Sequence, residues 1–313
     1  MWQVVSGIFL GWALGANDAS NVFGTAVAAR MLRFWTAAAL CAGFACAGAI
    51  IGGGAGMETY RDLSHTTLNT AFFVGLGAAL TVTVMTLKNL PVSTSQAVVG
   101  SLIAVGLVNG HVELGILGKV VACWVGTPVG AMLIAIALYA VLGQILNRLD
   151  FNIFGYDYWL RAALVIAGSY GAYALGANNV ANVTGAFVGD GMLSVEMACV
   201  IGGFSIALGV VTYSRGVMMT VGKGLVALDA YSAFIVILAE AMTVHIYAMI
   251  GVPVSTSQAV VGGVLGIGVV RGARTVNRAT LRNILIAWTS TPLISFALTW
   301  GMLRVAMTLG MSL

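Results

Sequence analysis

Charge is what this chain has least of. Only 8% of its 313 residues are Asp, Glu, Lys or Arg, while 60% are hydrophobic; a soluble domain carries about 25% charged residues. So few charges cannot clothe a water-facing surface, and a soluble fold is excluded. Cysteine is scarce as well. Cys41, Cys46, Cys123 and Cys199 lie scattered through apolar stretches, with no CxxC pair and no histidine at metal-ligand spacing. That pattern gives neither a disulfide framework nor a metal centre, and the four thiols read as small buried hydrophobes. Neither HExxH nor GxSxG occurs, so the common motifs of a membrane-embedded hydrolase are missing. Basic residues are not interleaved with aromatics as in a nucleic-acid reader. The net charge of +4 comes largely from one loop, so it reports topology rather than a partner.

What the chain does have is long apolar runs. At roughly 20 residues per spanning helix, its length allows about ten spans and leaves no room for a sizeable soluble domain. The opening stretch MWQVVSGIFLGWALGAND lacks a basic leader and a small-residue cleavage site, and is read as the first span. Hydrophobic segments are expected at about 2–30, 34–54, 69–88, 91–110 and 115–146, then at 159–190, 193–212, 232–250, 252–270 and 284–310. The breaks include the polar stretch from Glu58 to His65.

The two sets are copies of each other. GANDASNVFG at 15–24 returns as GANNVANVTG at 176–185, and PVSTSQAVVG at 91–100 returns unchanged at 253–262. CWVGTP at 123–128 is echoed by AWTSTP at 287–292, and all four prolines belong to matched pairs. Such fixed-offset similarity marks a duplicated unit. It divides the chain into a first repeat, 1–146, a connecting loop, 147–158, and a second repeat, 159–313.

Loop charges give the orientation. Arg271, Arg274, Arg278 and Arg282 follow the second PVSTSQ block with no acid among them, so that loop is expected in the cytoplasm. Its counterpart, GHVELGILGK, has one glutamate and one lysine; Arg30 and Arg33 likewise face Asp190 and Glu196 at equivalent places. Opposite signatures at equivalent loops imply inverted repeats, with both termini outside. The expected fold is an all-α polytopic membrane protein with two inverted-topology repeats and discontinuous or re-entrant helices at the midplane.

Two motif pairs could carry chemistry. Asn17, Asp18 and Asn21, with Asn178, Asn179 and Asn182, place oxygen donors near the middle of long apolar segments, where polar groups are costly and need partners. The i, i+3 spacing of Asp18 and Asn21, and of Asn179 and Asn182, puts each pair on one helical face. Hard oxygen donors suit Na⁺ or a proton rather than a transition metal. The alternative, plain interhelical hydrogen bonding, accounts poorly for a symmetric cluster that contains a carboxylate.

PVSTSQ reads as a helix start, with proline upstream and capping-box spacing from Ser93 to Gln96 and from Ser255 to Gln258. Such a start presents free N–H groups and the positive end of the helix dipole, and Ser93, Thr94, Ser95, Ser255, Thr256 and Ser257 add hydroxyls. Two of them facing across a pseudo-two-fold axis would hold an anion. The bland reading is that these hydroxyls only cap buried helix ends. By symmetry, equivalent positions in the two halves are expected to behave alike. Glu240 lies in an apolar run but has Ala78 as its repeat partner, and a cation or proton role is balanced there by a structural one. His245 reads as a satisfied packing residue, and Lys88 as a side chain that snorkels to an interface.

On GANDASN, GANNVAN and the paired PVSTSQ blocks, the chain resembles the inorganic phosphate transporter (PiT) family over nearly its whole length. The resemblance implies symport of phosphate with Na⁺ or H⁺ in the cell (inner) membrane, no cofactor, and a homodimer. It links Ser93–Gln96 and Ser255–Gln258 to the phosphate and marks Asn17, Asp18 and Asn21, with Asn178, Asn179 and Asn182, as the family signature; these six remain the expected Na⁺ donors on their chemistry, with Glu240 as an outlying candidate. The chain departs from the family pattern in carrying Asn179 where an aspartate is usual, and in having no acid within GFACAGAIIGG. Sulfate symport and proton coupling remain the alternatives within transport; a channel is the alternative outside it.

Orientation is directly testable. Single cysteines placed within 109–119 and 271–282, on a background lacking the native thiols, should react with an impermeant thiol reagent from opposite sides of the membrane. Labelling of both loops from one side would contradict the inverted arrangement.

Overall fold

The computed structural model describes residues 2–63, 66–88, 92–149, 152–189, 192–224, 228–272 and 278–312. Among them are eleven α-helices. The first repeat holds α1 (Val5–Ala28), α2 (Phe34–Gly52), α3 (Gly54–Leu63), α4 (Leu68–Leu87), α5 (Thr94–Asn109) and α6 (Leu114–Leu146). The second holds α7 (Ile153–Thr184), α8 (Val195–Gly224), α9 (Ala230–Ile250), α10 (Thr256–Arg271) and α11 (Arg278–Thr308). Seven helices are long and apolar enough to cross a membrane. The protein is a polytopic all-helical membrane protein.

Three boundaries differ from the sequence reading. The expected connection 147–158 is helical from Ile153, because the Asn152 side chain accepts from the Gly155 N–H at 2.7 Å and caps α7 there. The expected break at Glu58 to His65 is largely the short helix α3; Ser64 and His65 lie outside the described residues. Met57, Tyr60 and Leu63 are buried on one side of α3 while Glu58, Arg61 and Asp62 face outward, so a search for unbroken apolar runs passes over it. Finally, α8 continues to Gly224 rather than ending near 212.

Glycine fixes how the two repeats meet. A Cβ on Gly15 would lie 2.0 Å from the Ile206 carbonyl oxygen, and one on its repeat partner Gly176 would lie 1.9 Å from that of Ala45. Gly48 meets the Tyr173 carbonyl and Gly209 that of Trp12, each at 2.0 Å; Gly100 meets the Pro292 carbonyl and Gly262 that of Pro128, each at 2.2 Å. Each pair of contacts exchanges the same two places between the copies. Only residues without a side chain let backbones come this close. The result is an approximate two-fold relation between the repeats.

The direction of that relation follows from α1 and α7. Neighbours of α1 run from Val183 and Phe187 at Gly7, through Gly171 at Val22 and Gly168 at Phe23, to Arg161, which donates to the Met31 carbonyl at 2.7 Å. These equivalent helices are therefore antiparallel. Within each repeat the arrangement is the same: Gln3 bonds Asn69 and Asn17 bonds Thr86, so α4 runs parallel to α1, while Trp159 packs on Phe234 and Tyr170 bonds His245, so α9 runs parallel to α7.

The short helices return to where their partners began. At 16 residues each, α5 and α10 are about 24 Å long, less than the ~30 Å of a hydrocarbon core. The Glu113 N–H after α5 bonds the Leu63 carbonyl before α4, and Arg271 at the end of α10 pairs with Asp229, the cap of α9. So α4–α5 and α9–α10 are re-entrant hairpins. They enter the bundle from opposite ends, and their tips meet inside it.

Candidate functional site

The hairpin tips hold residues 92–96 and 253–258 of the PVSTSQ blocks. Ser93 and Ser255 cap α5 and α10, accepting from the N–H groups of Gln96 and Gln258 at 3.4 and 3.3 Å. The reciprocal half of the expected capping box is not formed. The N–H groups of Thr94, Ser95, Thr256 and Ser257 come before the first bonds within these helices, which Ala97 and Ala259 donate to the Ser93 and Ser255 carbonyls at 3.1 Å, and the helix dipole adds positive potential there. Within each tip the outer serines bond each other, Ser93 to Ser95 at 3.2 Å and Ser255 to Ser257 at 2.9 Å. The two tips touch where Ser257 donates to the Val92 carbonyl at 3.4 Å.

The asparagine motifs of α1 and α7 meet these tips. Thr256 of α10 donates to Asp18 Oδ2 at 3.2 Å and accepts from Asn21 Nδ2 at 3.1 Å. Asn178 clasps the Val254 peptide, donating to its carbonyl at 2.8 Å and accepting from its N–H at 3.0 Å. Asn17 is turned away to Thr86 at 2.9 Å, and Asn182 donates to Asn179 Oδ1 at 2.6 Å. All fourteen motif residues named from the sequence are buried, and the structure brings them into one region.

The electrostatics follow from what is absent nearby. Among the described residues no lysine or arginine is buried, whereas Asp18 and Glu240 are. Buried polar atoms without a partner concentrate here: Asp18 Oδ1, Thr94 Oγ1, Gln96 Oε1, Gln258 Oε1 and Asn179 Nδ2. Native proteins pair nearly all such atoms, which makes this cluster the candidate site. Behind the tips lies an apolar cavity of about 550 Å³, lined in mirrored fashion by Gln96 and Gln258, Trp124 and Trp288, Pro128 and Pro292.

The sequence profile of the phosphate transporter family matches twice, over residues 14–154 and 152–299. The chain belongs to the phosphate transporter family. Each match corresponds to one repeat. A protein of Methanocaldococcus jannaschii, provisionally named a phosphate permease, is 31% identical, with 94% of this chain and 93% of that protein covered. The sulfate permease CysP of Bacillus subtilis is 27% identical over 95% of this chain and 85% of its own length. A solved structure titled as a sodium-dependent phosphate transporter superposes with a TM-score of 0.84 at 22% identity, over 97% of this chain and 98% of that one, which establishes a shared fold. Family and relatives are transporters, not enzymes.

Other residues of this transporter fall as follows. Glu240 of α9 is fully buried and neither carboxylate oxygen has a partner; it lies beside Gly171, whose Cβ would come within 3.2 Å of both Glu240 Oε2 and Val22 Cγ1. Val22 lies one turn beyond Asp18 on α1, so the two buried carboxylates are neighbours in this part of the bundle. His245 bonds Tyr170 at 2.8 Å, as a packing residue does, and Lys88 is exposed at the end of α4. All four cysteines are free, with Cys41 and Cys199 buried and Cys46 and Cys123 half-buried. Sequence reasoning missed two contributors. Thr86 holds Asn17, and Tyr60 of α3 donates to Asn182 Oδ1. Neither has a signal beyond a polar group near an apolar run.

The expected equivalence of the two halves does not hold in this state: Thr256 bridges two residues of α1, while Thr94 has no partner. Thr256→Val should cost about 1–3 kcal/mol of stability, because it strands Asp18 Oδ2 and Asn21 Nδ2. Thr94→Val should cost little. Thermal unfolding of the two variants in the absence of ligand checks this difference.

Proposed function

We propose that this transporter imports inorganic phosphate by symport with Na⁺. The observation that carries the reading is the meeting of two Ser-Thr-Ser helix starts beside a buried aspartate, with no buried lysine or arginine among the described residues to neutralise an anion. Hydroxyls and first-turn N–H groups of Ser93–Gln96 and Ser255–Gln258 would hold the phosphate. The oxygens of Asn17, Asp18, Asn21, Asn178, Asn179 and Asn182 would hold the cation. Held by dipoles, hydroxyls and a co-bound cation rather than by a fixed basic side chain, the anion can also leave, as transport requires.

The repeats would lie inverted across the cell membrane, since their equivalent helices are antiparallel and their hairpins enter from opposite ends. With the arginine-rich loop at 271–282 in the cytoplasm, both termini would be outside. The apolar residues exposed along the later part of α6, Leu133, Val141 and Ile145, would offer a second copy the surface that a homodimer needs.

Sulfate is the competing cargo, favoured by the resemblance to the sulfate permease. Phosphate fits better on one ground. At neutral pH it keeps an O–H, and Gln96 Oε1, Gln258 Oε1 and Asp18 Oδ1 are buried acceptors without a partner. Sulfate has no proton to offer them, and a polar site left unmatched rejects a ligand strongly.

Coupling follows from charge. Phosphate brings one or two negative charges to a region already holding Asp18, and an isolated charge there is very costly. Cation binding near Asp18 should therefore come first, and phosphate affinity should rise with Na⁺; linkage requires phosphate to raise Na⁺ affinity by the same factor. Phosphate binding measured over a series of Na⁺ concentrations, with sulfate as competitor, should show this dependence in the wild type and lose much of it in Asp18→Asn. Equal Na⁺ dependence in both proteins would remove Asp18 from the coupling site, and no dependence in the wild type would favour a proton instead.

A further inference from the structure

The two halves of the site share a sequence pattern but not a bonding pattern. In one, Asn21 and Asp18 of α1 are tied to Thr256 on the opposite repeat's hairpin. The symmetric tie would join Asn182 of α7 to Thr94 of α5. It is missing, and both sides of the gap show it: Thr94 Oγ1 and Asn179 Nδ2 are buried without partners. Asn182 is held elsewhere, donating to Asn179 and accepting the hydroxyl of Tyr60.

Tyr60 belongs to α3, the helix for which the second repeat has no separate counterpart. It is fully buried, with its ring edge on Gly185, where a Cβ would come within 3.2 Å of Tyr60 Cδ2. The same helix reaches the other hairpin. Thr59 donates to the carbonyl of Gly251, the left-handed residue that ends α9, and Gly56 lies under Pro253, where a Cβ would be 3.4 Å from the ring. Through this one short helix, Asn182 and the approach to the α10 tip are held together.

Resting on the reading of the hydroxyl blocks as the cargo site, we propose that Tyr60 is a latch: a positioning residue that keeps Asn182 from Thr94, so that loading requires Asn182 to pass from the tyrosine to the threonine. A buried tyrosine hydroxyl needs a partner, and Asn182 supplies one here. The arrangement leaves Thr94 and Asn179 with the penalty of unpaired buried groups. Moving Asn182 across would satisfy Thr94 and recreate the bond that Asn21 makes with Thr256. The latched state lowers apparent affinity by the fraction of molecules in which the latch is open, and it makes one half of the site differ from the other while empty.

Phosphate affinity of the purified full chain, measured in saturating Na⁺ and again with choline in its place, tests the latch. Tyr60→Phe keeps the ring and removes the hydroxyl. It should bind phosphate about two- to tenfold more tightly than the wild type, the factor that one net hydrogen bond represents. Thr59→Val, which loosens α3 without touching the site, should shift affinity in the same direction. The gain should vanish when Tyr60→Phe is combined with Thr94→Val, because Asn182 then has nowhere to go. A merely structural tyrosine would give unchanged or weaker binding in Tyr60→Phe and Thr59→Val, or a gain that survives in the Thr94→Val background; either result overturns the latch. If the wild type binds phosphate equally in both salts, Na⁺ coupling fails while the ratio of variant to wild type still decides. No phosphate binding in either salt would sink both readings.

Discussion

On the function proposed here, a negatively charged cargo is held among buried groups that include two carboxylates and, among the described residues, no lysine or arginine. Burying an unpaired charge is so costly that it dictates the other features of the site. Positive potential can come only from helix starts, hydroxyl and amide donors, and cations that arrive with the cargo. That requirement explains why each repeat breaks a helix inside the protein. An unbroken helix presents no free N–H groups, whereas the starts of α5 and α10 present theirs where α1 and α7 carry their amides.

Bringing four such segments together depends on glycine. The matched contacts of Gly15 with Ile206 and Gly176 with Ala45, and of Gly100 with Pro292 and Gly262 with Pro128, let backbones touch across the repeats. They also keep the hairpins registered against α6 and α11. Because Pro128 and Pro292 sit inside those helices, the carbonyls that press on Gly262 and Gly100 come from turns where the helix ladder is already interrupted. The site is thus framed symmetrically, while its bonds are not symmetric: Asp18 faces Asn179 in the duplication, Glu240 faces Ala78, and Tyr60 lies on a helix whose equivalent in the second repeat is the continuous end of α8. A transporter with two-fold architecture gains a preferred state from such differences.

Much of this was legible in the sequence. The duplicated blocks identified the repeats, and the motif residues from Asn17 to Asn21, from Asn178 to Asn182 and in the two PVSTSQ blocks are the ones that gather in the interior. What could not be read followed from short-range chemistry that leaves no periodic trace. Asn152 capped α7 six residues earlier than the hydropathy suggested, and α3 hid its apolar side, Met57, Tyr60 and Leu63, within a polar stretch. The unequal bonding of Thr94 and Thr256 was beyond reach, because identical decapeptides carry no information about which of two states the whole chain occupies.

The central proposal is that phosphate crosses together with Na⁺ because the anion cannot be accommodated without the cation. Uptake of radiolabelled phosphate into proteoliposomes, with a Na⁺ gradient and a pH gradient imposed separately, tests it most directly. The account predicts that an inward Na⁺ gradient drives accumulation above equilibrium at equal pH on both sides, with saturation as phosphate rises. Accumulation driven by the pH gradient alone, or non-saturating equilibration without accumulation under either gradient, would contradict it.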